Sequence, residues 1–217
     1  MSGAPNPPVT LILASASPAR LGVLKGAGVD PLVRVSEVDE PAVIAQYGVP
    51  EPPDIALLLA RAKAEDVAAS ADLPPGLVLG CDSVLEFDGQ VRGKPTDRQQ
   101  ARDWARSMSG RSGTLHTGHW LIDTRPGGHG AAVGAVAETL VRFTELTDEE
   151  VEAYLDTGEP LHVAGGFTID GLGGAFVAGL AGCHSNVIGV SLPLVRALAA
   201  RVGVSWPRLW AGLTGPA

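Results

Sequence analysis

The first half of the sequence alternates short apolar segments with capped helical segments. Residues 10–14 are an apolar run with strand character, and Ser17 then supplies a hydroxyl N-cap with Pro18 at the first helical position. A second unit combines a strand over residues 30–35 with a helix over residues 54–71, where apolar side chains recur at helical spacing. This alternation predicts an α/β fold.

The middle of the chain adds antiparallel pairing to that pattern. A buried strand over residues 77–79 continues toward a hairpin with an Asp88-Gly89 turn. Two further strands, residues 115–123 and 137–143, flank a Pro/Gly-rich loop and are expected to pair with each other. Because such a return is antiparallel, the sheet is predicted to be mixed.

Two capping-box signatures predict further helices. Thr96 with Gln99 begins a helix that ends near residue 108, and Thr147 with Glu150 begins one that ends near residue 157. The last part of the chain is glycine-dense over residues 164–182 and closes with a predicted helix over residues 192–202.

Length and composition fit one folding unit. The chain has 217 residues and 45% hydrophobic content, which is enough for one sizeable core. Residues 1–8 are proline-rich and predict a disordered leader, so residues 9–217 are expected to form a single domain.

Charge and hydropathy narrow the classes of partner. A net charge of −8 repels a phosphate backbone, so a duplex nucleic acid partner is not expected, whereas a small anion fits if cations converge locally or a metal bridges. No apolar run approaches the roughly 20 residues that span a bilayer. With two cysteines and no signal peptide, we expect a cytoplasmic protein that binds no membrane.

Several polar segments are candidates for chemistry. The start of the first predicted helix, with Ser15, Ser17 and Arg20, combines free N–H groups with a guanidinium and predicts an anion site, although a capped helix with a surface arginine is the alternative. Lys63 and Lys94 would add cations, or be solvated lysines.

Carboxylates supply the second kind of candidate. Glu40 lies in the acidic segment of residues 36–40, and Asp82 follows a buried strand where core gives way to cleft. Such oxygens suit Mg²⁺, which needs only one or two protein ligands when phosphates and water complete its shell. A solvated turn and a capping aspartate are the alternatives. His116 and His119 lie three apart on a strand and so face opposite sides, which disfavours a shared metal.

Together these segments resemble the Maf family, and the resemblance covers about residues 9–203. The order and spacing of short motifs carry it: Leu-Ala-Ser-Ala-Ser-Pro-Ala-Arg at 13–20, Ser-Glu-Val-Asp-Glu at 36–40, Ala-Lys-Ala at 62–64, Gly-Cys-Asp-Ser-Val at 80–84, Gly-Lys-Pro at 93–95, Ser-Gly-Arg at 109–111, His-Thr-Gly at 116–118, Val-Arg-Phe at 141–143, Glu-Ala-Tyr at 152–154, Gly-Glu-Pro-Leu at 158–161, Ala-Gly-Gly-Phe at 164–167 and Ser-Asn-Val-Ile-Gly at 185–189.

The resemblance implies an elongated, two-lobed α/β fold of the inosine triphosphate pyrophosphatase-like type, with a central cleft and often dimeric. It implies hydrolysis of a nucleoside triphosphate to the monophosphate and pyrophosphate with Mg²⁺ or Mn²⁺. Asp82 takes the position of the proton acceptor and Glu40 that of a metal ligand, and we expect Asp82 to bind the metal together with Glu40. The polar positions around the phosphates are those of Ser15, Ser17, Arg20, Lys63 and Lys94.

Three positions that the family uses to choose its base depart from its known patterns. Members selective for thymidine and uridine triphosphates have Arg, Thr and Gln where this chain has Ala19, Ser83 and Asp170. An aspartate in place of an amide removes a donor and adds charge. The nucleobase therefore stays open. Two other functions also stay open: a non-catalytic nucleotide-binding regulator of cell division, and a phosphatase acting on small phosphomonoesters.

Overall fold

A mixed β-sheet forms the centre of the protein, in a computed structural model that describes residues 7–48 and 51–211. Within those residues the sheet has seven strands: β1 (Leu11–Leu13), β2 (Leu32–Val33), β3 (Leu77–Phe87), β4 (Gln90–Arg92), β5 (Ser112–Asp123), β6 (Ala132–Phe143) and β7 (Val177–Gly182).

The order of the strands is β2-β1-β3-β5-β6-β7, with β4 paired to β3. β1 runs parallel to both of its neighbours, whereas β3, β5, β6 and β7 pair in antiparallel fashion, as do β3 and β4. The mixed α/β architecture predicted from the sequence is therefore confirmed.

Seven α-helices within the described residues surround the sheet: α1 (Pro18–Gly26), α2 (Glu40–Tyr47), α3 (Pro52–Ala68), α4 (Arg98–Met108), α5 (Asp148–Asp156), α6 (His184–Ile188) and α7 (Leu192–Arg201). Short 3-10 turns, at Glu159–His162, Ala164–Gly166, Leu172–Phe176 and Trp206–Leu209, make up most of the remaining helical structure. None of the helices in the described part of the chain is long and apolar enough to cross a membrane.

The predicted helix starts are largely confirmed. Ser17 caps α1 by accepting a hydrogen bond from the Arg20 backbone, and Thr147 forms a complete capping box with Glu150 at the start of α5. The cap of α4 is Asp97, so the prediction that Thr96 caps it was wrong. The Asp97 carboxylate accepts a hydrogen bond from the backbone amide of Gln100 at 2.8 Å, which is the contact of an N-cap.

Some boundaries differ from the sequence prediction. The predicted strand over residues 30–35 shortens to two residues, and the helix predicted over residues 54–71 begins at Pro52 and ends at Ala68. The acidic segment that was considered a turn instead starts α2, because the Asp39 side chain caps that helix and accepts from the amide of Ala42 at 3.0 Å.

The hydrophobic core lies on both faces of the sheet. One cluster joins β1 and β3 to α1 and α7 through Leu11, Leu79, Leu24 and Leu198. Smaller clusters lie under α3 and at the far end of the long strands. Of the predicted leader, residues 1–6 lie outside the described residues, and the Pro7 carbonyl accepts a hydrogen bond from Arg208 Nε at 3.0 Å.

Candidate active site

A cleft of about 820 Å³ contains all ten site residues predicted from the sequence. One side is formed by the loop before α1, by α2 and by α3, and the other by the end of β4 and by residues 162–170. The predicted residues that line it are Ser15, Ser17, Ala19, Arg20, Glu40, Lys63, Asp82, Ser83, Lys94 and Asp170. The structure therefore brings together residues that the sequence scatters over more than 150 positions, while the role of each stays a prediction.

Asp82, Lys63 and Glu40 form a compact charged cluster in this cleft. Lys63 Nζ lies 2.6 Å from Oδ1 of Asp82 and 2.7 Å from Oε1 of Glu40. The Asp82 residue is only 8% exposed, whereas about half of the Glu40 side chain is exposed. Burial raises the pKa of Asp82 above its ordinary value, and the nearby cations of Lys63 and Arg20 oppose that rise.

Two glycines allow Lys63 to lie directly over Asp82. A Cβ atom at Gly80 would overlap the carbonyl oxygen of Ala60, and one at Gly118 would overlap that of Ala56. The backbone of α3 therefore packs against β3 and β5 without intervening side chains. This close approach places a lysine of the helix within hydrogen-bonding distance of a carboxylate on the sheet.

The Arg20 guanidinium is held on three of its nitrogen atoms. Nε donates to the Gly189 carbonyl at 2.8 Å, Nη1 to Ser15 Oγ at 3.1 Å and Nη2 to Ser83 Oγ at 3.2 Å. A guanidinium has five N–H groups, so one N–H on each terminal nitrogen is left without a partner among the described residues. A pair of N–H groups in a fixed fork matches the geometry of a phosphate.

Lys94 and Asp170 lie on the opposite side of the cleft. The Gly93 carbonyl before Lys94 accepts a hydrogen bond from the Gly165 amide at 2.9 Å, which ties β4 to the segment that follows α5. Residues 168–173, which include Asp170, are anchored by one carboxylate, that of Glu159.

Glu159 accepts from the Thr168 hydroxyl at 2.6 Å, from the amides of Leu172 and Gly173 at 3.1 and 3.0 Å, and from the Tyr154 hydroxyl at 2.8 Å. Glu159 was not among the site residues predicted from the sequence, although it stands in the Gly-Glu-Pro-Leu motif. The motif was the signal, but the four donors to the Glu159 carboxylate, which lie 5 to 14 positions away, converge on it only in the folded chain.

The two strand histidines are directed to opposite faces of the sheet, as their spacing predicted. His116 Nε2 lies 2.9 Å from Oε2 of Glu86. His119 is fully buried, and its Nδ1 donates to the Thr117 carbonyl at 2.9 Å while its Nε2 accepts from the Ser191 amide at 2.8 Å. Burial lowers the pKa of His119 to about 4, which keeps the ring neutral at ordinary pH.

The donor set of the cleft fits a small, hard cation that keeps other ligands. Glu40 and Asp82 present carboxylate oxygens on either side of one ammonium group, so a positive charge is already accommodated between them. No cluster of three or more histidine, cysteine or acidic side chains that could hold a metal occurs in the described part of the chain. Two carboxylates suit Mg²⁺ or Mn²⁺ only when substrate oxygens and water supply the remaining positions.

The arrangement can therefore bind a polyanion and act on it. Three cationic side chains, Arg20, Lys63 and Lys94, line the same cleft as two carboxylates, and burial raises the pKa of one of these, Asp82. Such a site matches a polyphosphate chain with a proton acceptor beside it.

Comparison with known proteins finds matches that extend over most of the chain. A family model described as Maf-like protein matches residues 10–202. A nucleoside triphosphate pyrophosphatase of Streptomyces coelicolor is 53% identical over 207 residues, covering 95% of this chain and 97% of that protein. A protein of the same name from Saccharopolyspora erythraea is 53% identical over 202 residues, covering 92% of this chain and 96% of that protein.

A more distant likeness exists among solved structures. The dITP/XTP pyrophosphatase of Mycobacterium abscessus is 16% identical, with a TM-score of 0.36, and the match covers 69% of this chain and 95% of that one. A likeness of this size adds nothing to the family assignment, which depends on the sequence matches.

Proposed function

The chain belongs to the family of Maf-like proteins, and on this premise we propose that it hydrolyses nucleoside triphosphates between the α and β phosphates. The products are a nucleoside monophosphate and pyrophosphate. The observation that carries the proposal is the placement of buried Asp82 beside Lys63 and Arg20 in one cleft with Lys94. Relatives about 50% identical that bear the name nucleoside triphosphate pyrophosphatase support it.

Asp82 is proposed to accept the proton of the attacking water. A carboxylate with a raised pKa is a stronger base, provided that it is ionised at the working pH. Burial supplies the rise, and the adjacent ammonium of Lys63 favours the ionised form. The net direction is a raised pKa, so this carboxylate is more basic than that of an exposed aspartate.

The cations are proposed to hold the triphosphate in line. Arg20 offers its two remaining N–H groups, while Lys63 and Lys94 add charge from α3 and from the end of β4. Ser15 and Ser17 lie at the N-terminus of α1, where free amides favour an anion. Positioning and electrostatic stabilisation supply most of the rate in phosphoryl transfer, so these groups matter as much as the base.

Glu40 and Asp82 are the proposed ligands of a divalent cation. Mg²⁺ or Mn²⁺ bound there together with the substrate would neutralise negative charge that develops on the pyrophosphate leaving group. For the nucleobase, Ala19 and Asp170 are the proposed contacts, and the exposed carboxylate of Asp170 offers acceptors rather than donors.

The test is product analysis on a panel of nucleotides. The protein is incubated with Mg²⁺ and each of the common ribo- and deoxyribonucleoside triphosphates. The panel also includes the triphosphates of inosine, xanthosine and nucleosides with methylated bases. The products are analysed by anion-exchange chromatography and ³¹P NMR. Monophosphate with pyrophosphate is the expected result, and diphosphate with orthophosphate would contradict the assignment. The panel also separates a phosphomonoesterase. Binding of nucleotide without any turnover would favour the non-catalytic regulator, for which neither the cleft nor the comparisons give support.

A cytoplasmic location and a homodimer complete the proposal. Both cysteines, Cys81 and Cys183, are free thiols, which fits a reducing compartment where nucleotides are made and used. Fractionation of cells that express the protein tests the location, and light scattering coupled to gel filtration tests the dimer.

A further inference from the structure

We propose that Ser83 and Thr117 are positioning residues that fix the Arg20 guanidinium for a polyphosphate ligand. The inference rests on the proposed function of the cleft and gives Ser83 a task other than choosing the base. A closed ring of hydrogen bonds joins Arg20 to one backbone carbonyl, that of Asn186, by two routes.

The first route passes through two hydroxyl groups in a fixed direction. Thr117 Oγ1 lies 3.2 Å from the Asn186 carbonyl oxygen, which only accepts, so Thr117 donates its proton there. Ser83 Oγ lies 3.0 Å from Thr117 Oγ1 and must therefore donate to it. The oxygen of Ser83 is then left as an acceptor, and Arg20 Nη2 donates to it at 3.2 Å.

The second route passes through the backbone. The Gly189 amide donates to the same Asn186 carbonyl at 2.9 Å, and the Gly189 carbonyl accepts from Arg20 Nε at 2.8 Å. Gly189 has a φ of 120°, a conformation that favours glycine, and a Cβ atom there would lie 3.0 Å from Arg20 Nε. Two N–H groups of the guanidinium, those of Nε and Nη2, are thus positioned through one carbonyl group.

Asn186 is itself immobilised. It is fully buried, and its Nδ2 donates to the carbonyls of Leu115 and Ala137, at 3.3 and 3.1 Å, and lies 3.1 Å from Thr139 Oγ1. These partners lie on the adjacent strands β5 and β6. The ring is therefore anchored in the sheet rather than in a surface loop.

This ring has a consequence for binding. A free arginine side chain loses rotamer freedom when it grips a ligand, whereas a guanidinium already fixed loses less. Because Ser83 uses its proton on Thr117, it has none to offer to a nucleobase. The hydroxyl chain accepts from Arg20 Nη2 and leaves one N–H on each terminal nitrogen available for a phosphate.

The experiment measures the affinity for inorganic tripolyphosphate by calorimetry in metal-free buffer, which requires no turnover. Thr117→Val keeps the shape and removes the hydroxyl link, and Thr117→Ser restores the link. We expect the valine variant to bind about tenfold more weakly than wild type and the serine variant to bind within about twofold of it. Thr124→Val is the matched control, because the Thr124 hydroxyl bonds to the Gly76 carbonyl away from the cleft.

A double-mutant cycle separates positioning from a general structural effect. Arg20→Lys removes the fork that the ring orients, so Thr117→Val should change the dissociation constant by less than about twofold in that background. An unchanged affinity of Thr117→Val, or an equal loss in the Arg20→Lys background, would overturn the proposal. Should Thr117→Val be unfolded at the assay temperature, Ser83→Ala breaks the same chain and is judged by the same two outcomes. Wild-type protein that binds tripolyphosphate but cleaves no nucleotide would refute the proposed function alone.

Discussion

The ammonium group of Lys63 lies 2.6 Å from Oδ1 of Asp82, and this contact joins helix α3 to strand β3 inside the cleft. The same group lies 2.7 Å from Glu40, so one cation compensates two carboxylates. The pKa of Asp82 therefore depends on a residue that is 19 positions away in the sequence.

Removal of Lys63 is expected to shift the pH dependence of activity. Lys63→Gln deletes a charge that lowers the pKa of Asp82 and leaves the burial that raises it. The acidic limb of the kcat/KM profile should move to higher pH, since the base is then protonated over a wider range. The profile measured for Lys25→Gln, which breaks an exposed pair with Asp30, should match that of wild type. An unmoved acidic limb in Lys63→Gln would show that Lys63 does not tune the base.

Asp82→Asn is expected to stabilise the protein while it removes activity. The folded-state pKa of Asp82 is raised, so its ionisation above the unfolded value costs stability, and an amide avoids that cost. We expect kcat to fall by a factor of about 100 or more. The Tm measured by calorimetry at pH 7.5 should rise by about 2–4 °C. A lower Tm would mean that the contact with Lys63 outweighs the burial of the charge.

Stability is expected to fall as the pH falls below about 6.5, because of His119. Its pKa is lowered from 6.5 to about 4 by burial, so the unfolded state takes up a proton before the folded state does. The loss amounts to roughly 3 kcal/mol between these two values. Urea unfolding at several pH values from 7.5 to 4.5 measures it. His119→Gln should show a shallower dependence, whereas His184→Gln, at an exposed histidine, should retain the full slope.

Alanine at Gly80 is expected to damage both stability and catalysis. The new Cβ would overlap the Ala60 carbonyl, so α3 must move away from β3 and carry Lys63 with it. We expect a loss of about 1–3 kcal/mol in the free energy of unfolding and a lower kcat/KM. Gly22→Ala makes the same change in a helix where no atom lies within 4 Å of the new Cβ, and it should be neutral or stabilising. Equal effects of the two substitutions would exclude close packing as the cause.

Chelation is expected to abolish turnover without unfolding the protein. The carboxylates of Glu40 and Asp82 already share the ammonium of Lys63, so the folded state does not require a metal to compensate them. EDTA should stop hydrolysis, and Mg²⁺ or Mn²⁺ in excess should restore it, with no change in the circular dichroism spectrum. Turnover that persists after exhaustive chelation would remove the divalent cation from the proposal.

Turns and helix starts could be predicted from the sequence, because residues close together in the chain determine them. The Asp88-Gly89 turn between β3 and β4 follows from two residues that adopt positive φ, and the capping box of Thr147 from two side chains three apart. The same logic would have found α2, since Asp39 stands two residues before Pro41, but the run of acidic residues pointed to a solvated turn.

Features that depend on contacts between distant segments of the chain could not be predicted from the sequence. Nothing around Gly80 indicates that a helix backbone lies against it, because the helix is in another segment of the chain. The candidate side chains could be assigned to one site from the sequence, because the motifs that contain them follow the order found in a known family. Their supports, Glu159 and Asn186, could not be assigned, since each acts by joining groups that only the folded chain brings together.

The hydrogen bond from Arg20 Nε to the Gly189 carbonyl spans 169 positions of the chain. During synthesis, Arg20 therefore leaves the ribosome well before its partner Gly189. A nascent chain that lacks residues 186–189 would already contain every charged side chain of the cleft, yet its arginine would have neither route of the ring to hold it. The full set of hydrogen bonds to Arg20 can therefore form only after residue 189 has been synthesised, and a product truncated before residue 186 would carry the charges of the cleft without the ring that orders this arginine.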